Sequence, residues 1–262
     1  MIGMPEESFI SEQDFPDYIA KLNGLRTRVA EALPLEPRMR VLDVATGSAY
    51  FAMELAKRDP TLKILGIDSS DRSIRIADRN IRGRWLDTVV SLIKMDATRL
   101  EFPASTFGLA TNFLGFDDVH MTKEARGVRE VFHEVARVLK PRGYFCFAVM
   151  PPEEAETTAQ RLECEVSSFI RGSTWLPALR YQEFLRGAGF TLLKREVHYT
   201  HQKMNPDQAK RRVTAICDDT LKMYGVDANT FEETWRRFGP EIEEHGLGYC
   251  SRVVLMMARR NA

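Results

Sequence analysis

Apolar residues recur along this chain in two alternating rhythms. Phe15, Tyr18, Ile19, Leu22, Leu25, Val29 and Leu33 fall at helical spacing and stop short of Pro34, which predicts one amphipathic helix over residues 15–33. Residues 41–44 then read as a short buried strand, 50–57 as a helix stopped by Asp59-Pro60, and KILGID (63–68) as a second strand. Ser70 or Asp71 suits the cap of a helix over SIRIADRNIR. VVSLIKMD predicts a third strand closing at Asp96, and FGLATNFL a fourth over 107–114. Val128, Val131, Phe132, Val135, Val138 and Leu139 mark a further helix, broken by Pro141 and Gly143, and YFCFAV predicts a fifth strand over 144–149. Strand and helix alternating with short links predict an α/β fold, a doubly wound sheet of parallel strands with helices on both faces.

In such a sheet ligands bind at the carboxyl ends of the strands, near the point where strand order reverses. Asp43, Asp68 and Asp96 each close a strand, so all three acids share that edge. The first strand runs into ATGSAY, whose small residues Ala45, Gly47 and Ala49 let backbone amides approach a ligand ahead of the next helix. Asp68, ending the neighbouring strand, is placed to accept hydrogen bonds from both hydroxyls of a ribose, which implies a nucleoside. A dinucleotide fingerprint puts bare glycine where this chain has Asp43 and Ala45. A carboxylate there repels a pyrophosphate and suits a ligand that carries an ammonium or sulfonium group. S-adenosylmethionine carries both.

The segments VLDVATGSAYFAMELA, ILGIDSSDRSIRIA, SLIKMDATRLEF, FGLATNFLGF and EVARVLKPRGYFCFAV follow one another in a familiar order. Through them the chain resembles the class I S-adenosylmethionine-dependent methyltransferases, particularly the small-molecule group that includes the ubiquinone and menaquinone biosynthesis enzymes. The resemblance covers roughly residues 38–150. Two details depart from the family pattern: Ala45 and Ala49 replace the outer glycines of D-x-G-x-G-x-G, and Phe107-Gly108 stands where Phe-Asp is common. The resemblance implies a Rossmann-like seven-stranded sheet, mostly parallel, whose antiparallel last strand is SRVVLMMARR. It implies S-adenosylmethionine as cofactor, with Asp43 and the backbone of Ala45, Thr46 and Gly47 holding the methionine portion. Asp68 then takes the ribose hydroxyls and Asp96 the adenine amino group, while Ser69 and Ala97 flank the adenosine. Asn112 and Phe113 line the methionine end.

Methyl transfer is a displacement in which the enzyme chiefly aligns acceptor, methyl and leaving group, and a base is needed only where the acceptor loses a proton. GFDDVH offers Asp117, Asp118 and His120 for that role, although a solvated acidic loop explains them equally well. His133 reads as solvent-facing, and His198 and His201 do not make a metal site, so no metal is expected.

The rest of the chain bears on the acceptor. Between the last two strands the family's minimal fold has a close connection, whereas here 205–246 is predicted helical. Ala209, Val213, Ile216, Cys217 and Thr220 share one helical face, and Thr230-x-x-Glu233 forms a capping box ahead of Phe231, Trp235, Phe238 and Ile242. The segment is either a helical pair packed on a core or a cover over the acceptor pocket. In the second reading Trp175, Phe231, Trp235 and, from an amino-terminal helical cover over 1–35, Tyr18 supply its walls. A single methyltransferase domain over 1–262 is expected.

Charge and composition narrow the partners. Thirty-seven basic and thirty-seven acidic residues cancel, which leaves no global field toward nucleic acid or an anionic membrane. The densest basic run, Lys210-Arg211-Arg212, is short. No apolar run is long enough to span a membrane, and the acidic start lacks a leader pattern, so a cytoplasmic protein is expected. The four cysteines are scattered and read as reduced. The reading is a methyltransferase acting on a small organic acceptor. A nucleic-acid or protein methyltransferase, or a noncatalytic partner that kept the fold, remains the alternative.

Overall fold

The computed structural model describes residues 7–262; residues 1–6 of the expected amino-terminal cover, and the side chains of Ile19, Met223 and Tyr224, lie outside the described residues. The elements in chain order are β1 (Ser8–Phe9), α1 (Phe15–Lys21), α2 (Leu25–Glu31), β2 (Arg40–Val44), α3 (Tyr50–Arg58), β3 (Lys63–Asp68), α4 (Asp71–Arg82), β4 (Val90–Lys94) and β5 (Phe107–Phe113). They continue with α5 (Phe116–Val138), β6 (Leu139–Val149), α6 (Thr158–Arg171), α7 (Ala178–Gly187), β7 (Phe190–Tyr199), β8 (Gln202–Met204), α8 (Pro206–Tyr224), α9 (Phe231–His245), β9 (Leu247–Gly248) and β10 (Arg252–Arg260). The chain divides into two compact units. Among the described residues no helix is long and apolar enough to cross a membrane.

The sheet unit comprises residues 26–149, 178–196 and 254–262. Its seven strands run in the order β4-β3-β2-β5-β6-β10-β7, with β4, β3, β2, β5 and β6 parallel and β10 antiparallel to β6. The chain winds outward from β2 through β3 to β4, then returns to the other side of β2 with β5. That reversal opens the crevice between the carboxyl ends of β2 and β5. The inner strands are apolar on both faces because helices cover both: Val41, Leu42, Val44, Leu109 and Ala110 are fully buried. On one face Phe116 and Phe132 of α5, Phe145 and Phe147 of β6, and Tyr181 and Phe184 of α7 form a continuous aromatic core, with ring centroids 4.9–6.1 Å apart where they meet. Tilted and edge-on pairs of this kind add about 0.5–1.5 kcal/mol each beyond area burial.

The helical unit comprises residues 7–25, 150–177 and 197–253. A small sheet, β1-β8-β9, ties its ends together. Both α8 and α9 begin with reciprocal capping boxes, Asn205 with Gln208 and Thr230 with Glu233. Ala209, Val213 and Thr220 of α8 are buried, as are Thr234, Phe238 and Ile242 of α9. Segment 205–246 is thus a helical pair with a core face of its own.

Two local expectations change. The single helix over 15–33 is broken, because Leu22 and Asn23 take left-handed conformations (φ 43° and 47°) at Asn23-Gly24 and separate α1 from α2. The amide of Asn23 then donates to the Thr200 carbonyl. GFDDVH is no loop, since α5 starts at Phe116 and kinks only at Glu124 (φ 56°). Asp117 and Asp118 occupy the first turn of this helix, where negative charge is favoured.

Candidate functional site

The edge built by the carboxyl ends of β2, β3, β4 and β5 lies wholly within the sheet unit. After β2 the chain turns tightly, with Ala45, Gly47 and Ala49 all left-handed at φ 50°, 55° and 62°. The two alanines therefore hold the backbone shape that glycine adopts freely, at about 1 kcal/mol or more each. Thr46 packs over β3 because Gly66 lacks a side chain: a Cβ there would come within 2.9 Å of the Thr46 hydroxyl. Above Gly47 the space is open, with nothing within 4 Å of an added Cβ.

Asp43 lies beneath this loop, 1 % exposed. Its carboxylate accepts from the Thr46 hydroxyl at 2.6 Å and the Thr111 hydroxyl at 2.7 Å. Burial pushes its pKa up to about 6, against the pull of those two donors, and the Asp68 charge adds to the rise. The carboxylate that the sequence places beside the methionine portion thus first pins the loop to β5.

Asp68 closes β3 and clamps two turns: one oxygen accepts from the Gly47 amide at 3.0 Å, the other from the Ser70 amide at 2.9 Å. Burial raises its pKa, and Asp118 adds to the rise while the two amides and the Ser73 hydroxyl oppose it. The Ser73 hydroxyl is a third donor to this carboxylate, which still keeps part of its acceptor capacity for a further donor such as a ribose hydroxyl. Ser69 is exposed beside it, and Ser70 caps α4 by accepting from the Ser73 amide.

Asp96 follows β4. One oxygen accepts from the amide and hydroxyl of Thr98, and the other pairs with Lys123 of α5 at 2.6 Å. Burial alone would raise its pKa, but Lys123 and Thr98 outweigh burial and hold it below the usual range. An adenine amino group meeting Asp96 competes with Lys123. Ala97 is half-buried alongside.

Asn112 is 1 % exposed, and its side chain joins strands: its amide donates to the Val44 carbonyl at 2.8 Å and its oxygen accepts from the Gly115 amide. Phe113 stacks on Phe51, and the Arg26 guanidinium lies 5.2 Å from the Phe113 ring and 5.3 Å from that of Tyr50. Asp117, Asp118 and His120 are half-buried on the first turns of α5.

The aromatic candidates all fall in the helical unit. Tyr18 is buried in that unit, 3 % exposed; its hydroxyl donates to Thr200 at 3.0 Å, and burial raises its pKa. Trp175 is 8 % exposed. Phe231 and Trp235 stack on each other, half-buried, with Lys210 over the Trp235 ring and Trp235 lying along Gly239 of its own helix.

Thr111, Lys123 and Arg26 escaped the sequence reading. Thr111 carried a signal, a polar residue inside an apolar strand; the other two had none, because each meets its partner only through tertiary packing.

A family model described as a methyltransferase domain matches residues 41–143. The demethylmenaquinone methyltransferase of Deinococcus radiodurans is 35 % identical over 127 residues, covering 48 % of this chain and 49 % of that protein. Its Thermus thermophilus counterpart is 33 % identical over 133 residues, covering 51 % and 56 %. The chain thus spans about half the length of the curated relatives it matches. Among solved structures, the [4+2]-cyclase SpnF shares the fold with a TM-score of 0.65 at 21 % identity, covering 99 % of this chain and 89 % of that one. Residues 41–143 thus match a methyltransferase domain and are similar to the corresponding part of the quinone-biosynthesis relatives. The cofactor is S-adenosylmethionine, and the acceptor capacity left on Asp68, with open space over Gly47, fits that ligand.

Proposed function

We propose that the protein methylates a small organic acceptor by direct displacement at the edge formed by Asp43, Asp68 and Asp96. The clamp made by Asp68 carries this reading, because it fixes the glycine-position loop and keeps acceptor capacity for a ribose. The cofactor supplies an activated methyl group on a sulfonium leaving group. The chain's own residues orient and select. Asp43, Asp68 and Asp118 give this edge a negative field that favours a cationic ligand over a pyrophosphate. Arg26 lies against the Phe113 and Tyr50 rings at the same end of the sheet. Asp117 and His120 are the groups proposed to accept a proton where the acceptor must lose one.

A small acceptor is favoured over nucleic acid because the densest basic run is engaged within its own unit: Arg211 pairs with Glu12 at 2.8 Å, Arg212 covers Tyr249, and Lys210 covers Trp235. The named relatives act on demethylmenaquinone, which makes a quinol of that type the first acceptor to try. The expected result is saturable binding of S-adenosylmethionine and S-adenosylhomocysteine by calorimetry, and transfer of labelled methyl to such a quinol. No binding of either ligand would end the proposal. Binding without transfer to any acceptor in a quinol and small-phenol panel would favour a second reading, a protein with this fold and another activity, for which SpnF is the structural precedent. With an acceptor in hand, His120→Ala is expected to lower kcat by about a hundredfold, within the range for general bases, and leave S-adenosylhomocysteine affinity unchanged. Unchanged kcat would remove His120 from the chemistry.

A further inference from the structure

The amino ends of the strands, at the other end of the sheet from Asp43 and Asp68, form a groove of about 820 Å3. Arg40 opens β2, Lys63 opens β3, and Lys140 and Arg142 sit in the turn that opens β6; Arg38 completes the basic rim. All five are exposed, and Glu36 is the single carboxylate among the lining residues. Among the described residues none of the five side chains takes part in an ion pair; Arg40 lies over the Phe107 ring at 5.5 Å. On a chain with net charge zero this concentration of one sign is local, and a concave wall focuses its field. Arg38 and Arg142 are also held left-handed, each at φ 62°, where an arginine is conformationally disfavoured. Strain at two residues on one rim points to a use for that rim.

We propose that this groove binds a small polyanion of the nucleoside-polyphosphate class. The volume is that of a small-ligand site. The five cations match two or more phosphate groups, and arginine's forked donors suit phosphate oxygens. Inorganic phosphate alone leaves part of the lining unexplained: Tyr144 is half-buried in the wall and Met39 lies beside it, giving an apolar strip suited to a planar base. The site is distinct from the cofactor edge, since parallel strands separate the two, and it stands whether or not the chain transfers methyl groups. Binding here leaves the other edge free, so an occupant acts as an effector and not as a reactant.

The test is calorimetric titration of the full chain with ATP and with inorganic tripolyphosphate, at low and at physiological salt. Saturable binding of both is expected, weaker at the higher salt, with ATP tighter by about fivefold or more through base stacking. Arg40→Glu combined with Arg142→Glu should weaken both ligands by at least about tenfold. Tyr144→Leu should remove only the advantage of ATP. Melting temperatures check that each variant is folded, and Lys63→Glu, in a different segment, provides an independent loss of charge if the double variant is not. The proposal is overturned by the absence of saturable binding, by full affinity in the charge-reversed variants, or by displacement of ATP with S-adenosylhomocysteine. Tighter binding of a single-stranded oligonucleotide than of ATP also overturns it, by making the groove part of a nucleic-acid track.

Discussion

Replacing Asp68 by alanine is expected to weaken S-adenosylmethionine, S-adenosylhomocysteine and adenosine alike, each by at least about tenfold. Two charge-assisted hydrogen bonds to a ribose contribute about 1.5–3 kcal/mol apiece, and tenfold corresponds to only about 1.4 kcal/mol. The loss has a second source in this structure. The same carboxylate accepts from the amides of Gly47 and Ser70, so its removal leaves both turns without their clamp. The loop after β2 already holds Ala45 and Ala49 left-handed and has little reason to keep that shape unaided. Asparagine is no gentle substitute, because its amide group would face one of the two backbone donors. Calorimetry on Asp68→Ala decides the matter. Unchanged affinity for all three ligands would mean that the nucleoside binds elsewhere and that Asp68 is only a turn clamp.

The strands and the acids that end them were legible because the signal is local. A run such as KILGID is apolar, β-branched and bounded by polar residues, and its last residue falls at the strand end whatever surrounds it. The order of five such segments then carried the resemblance, and the sheet order agrees with the fold it implies. What the sequence hid was tertiary. Asp43 reads as a ligand contact from its place at the end of a strand, while its partners, Thr46 across the turn and Thr111 on the next strand, emerge only in the fold. Asp96 and Lys123 are joined only once α5 reaches the turn after β4. The break between α1 and α2 had a visible cue in Asn23-Gly24, outweighed by a continuous helical periodicity on either side. The basic groove draws its cations from several separated segments, so no window of sequence contains it.

Asp43 gives the second large effect, and its sign follows from its burial. A carboxyl raised to about 6 in the folded chain, against about 3.9 in the unfolded one, is bound to a proton more tightly when folded. Its contribution to stability is therefore fully present below about pH 4 and is lost as the pH rises through about 6, a change of roughly 3 kcal/mol. Asp43→Asn removes the titration while keeping a side chain of similar shape between Thr46 and Thr111. Measured by denaturant unfolding in the absence of ligand, the stability of the variant relative to the natural chain is expected to improve by about 2–3 kcal/mol between pH 4 and pH 7. A cation brought to the same edge favours the ionised carboxylate and draws its pKa back down. S-adenosylmethionine should then stabilise the natural chain more at pH 7 than at pH 5, whereas adenosine, which brings no positive charge, should stabilise it equally at both. A stability difference that does not vary with pH would show that Asp43 is already ionised in the folded chain and that the threonine hydroxyls satisfy it fully. A pH-dependent difference with no distinction between the two ligands would leave Asp43 as a loop pin that the methionine portion never senses.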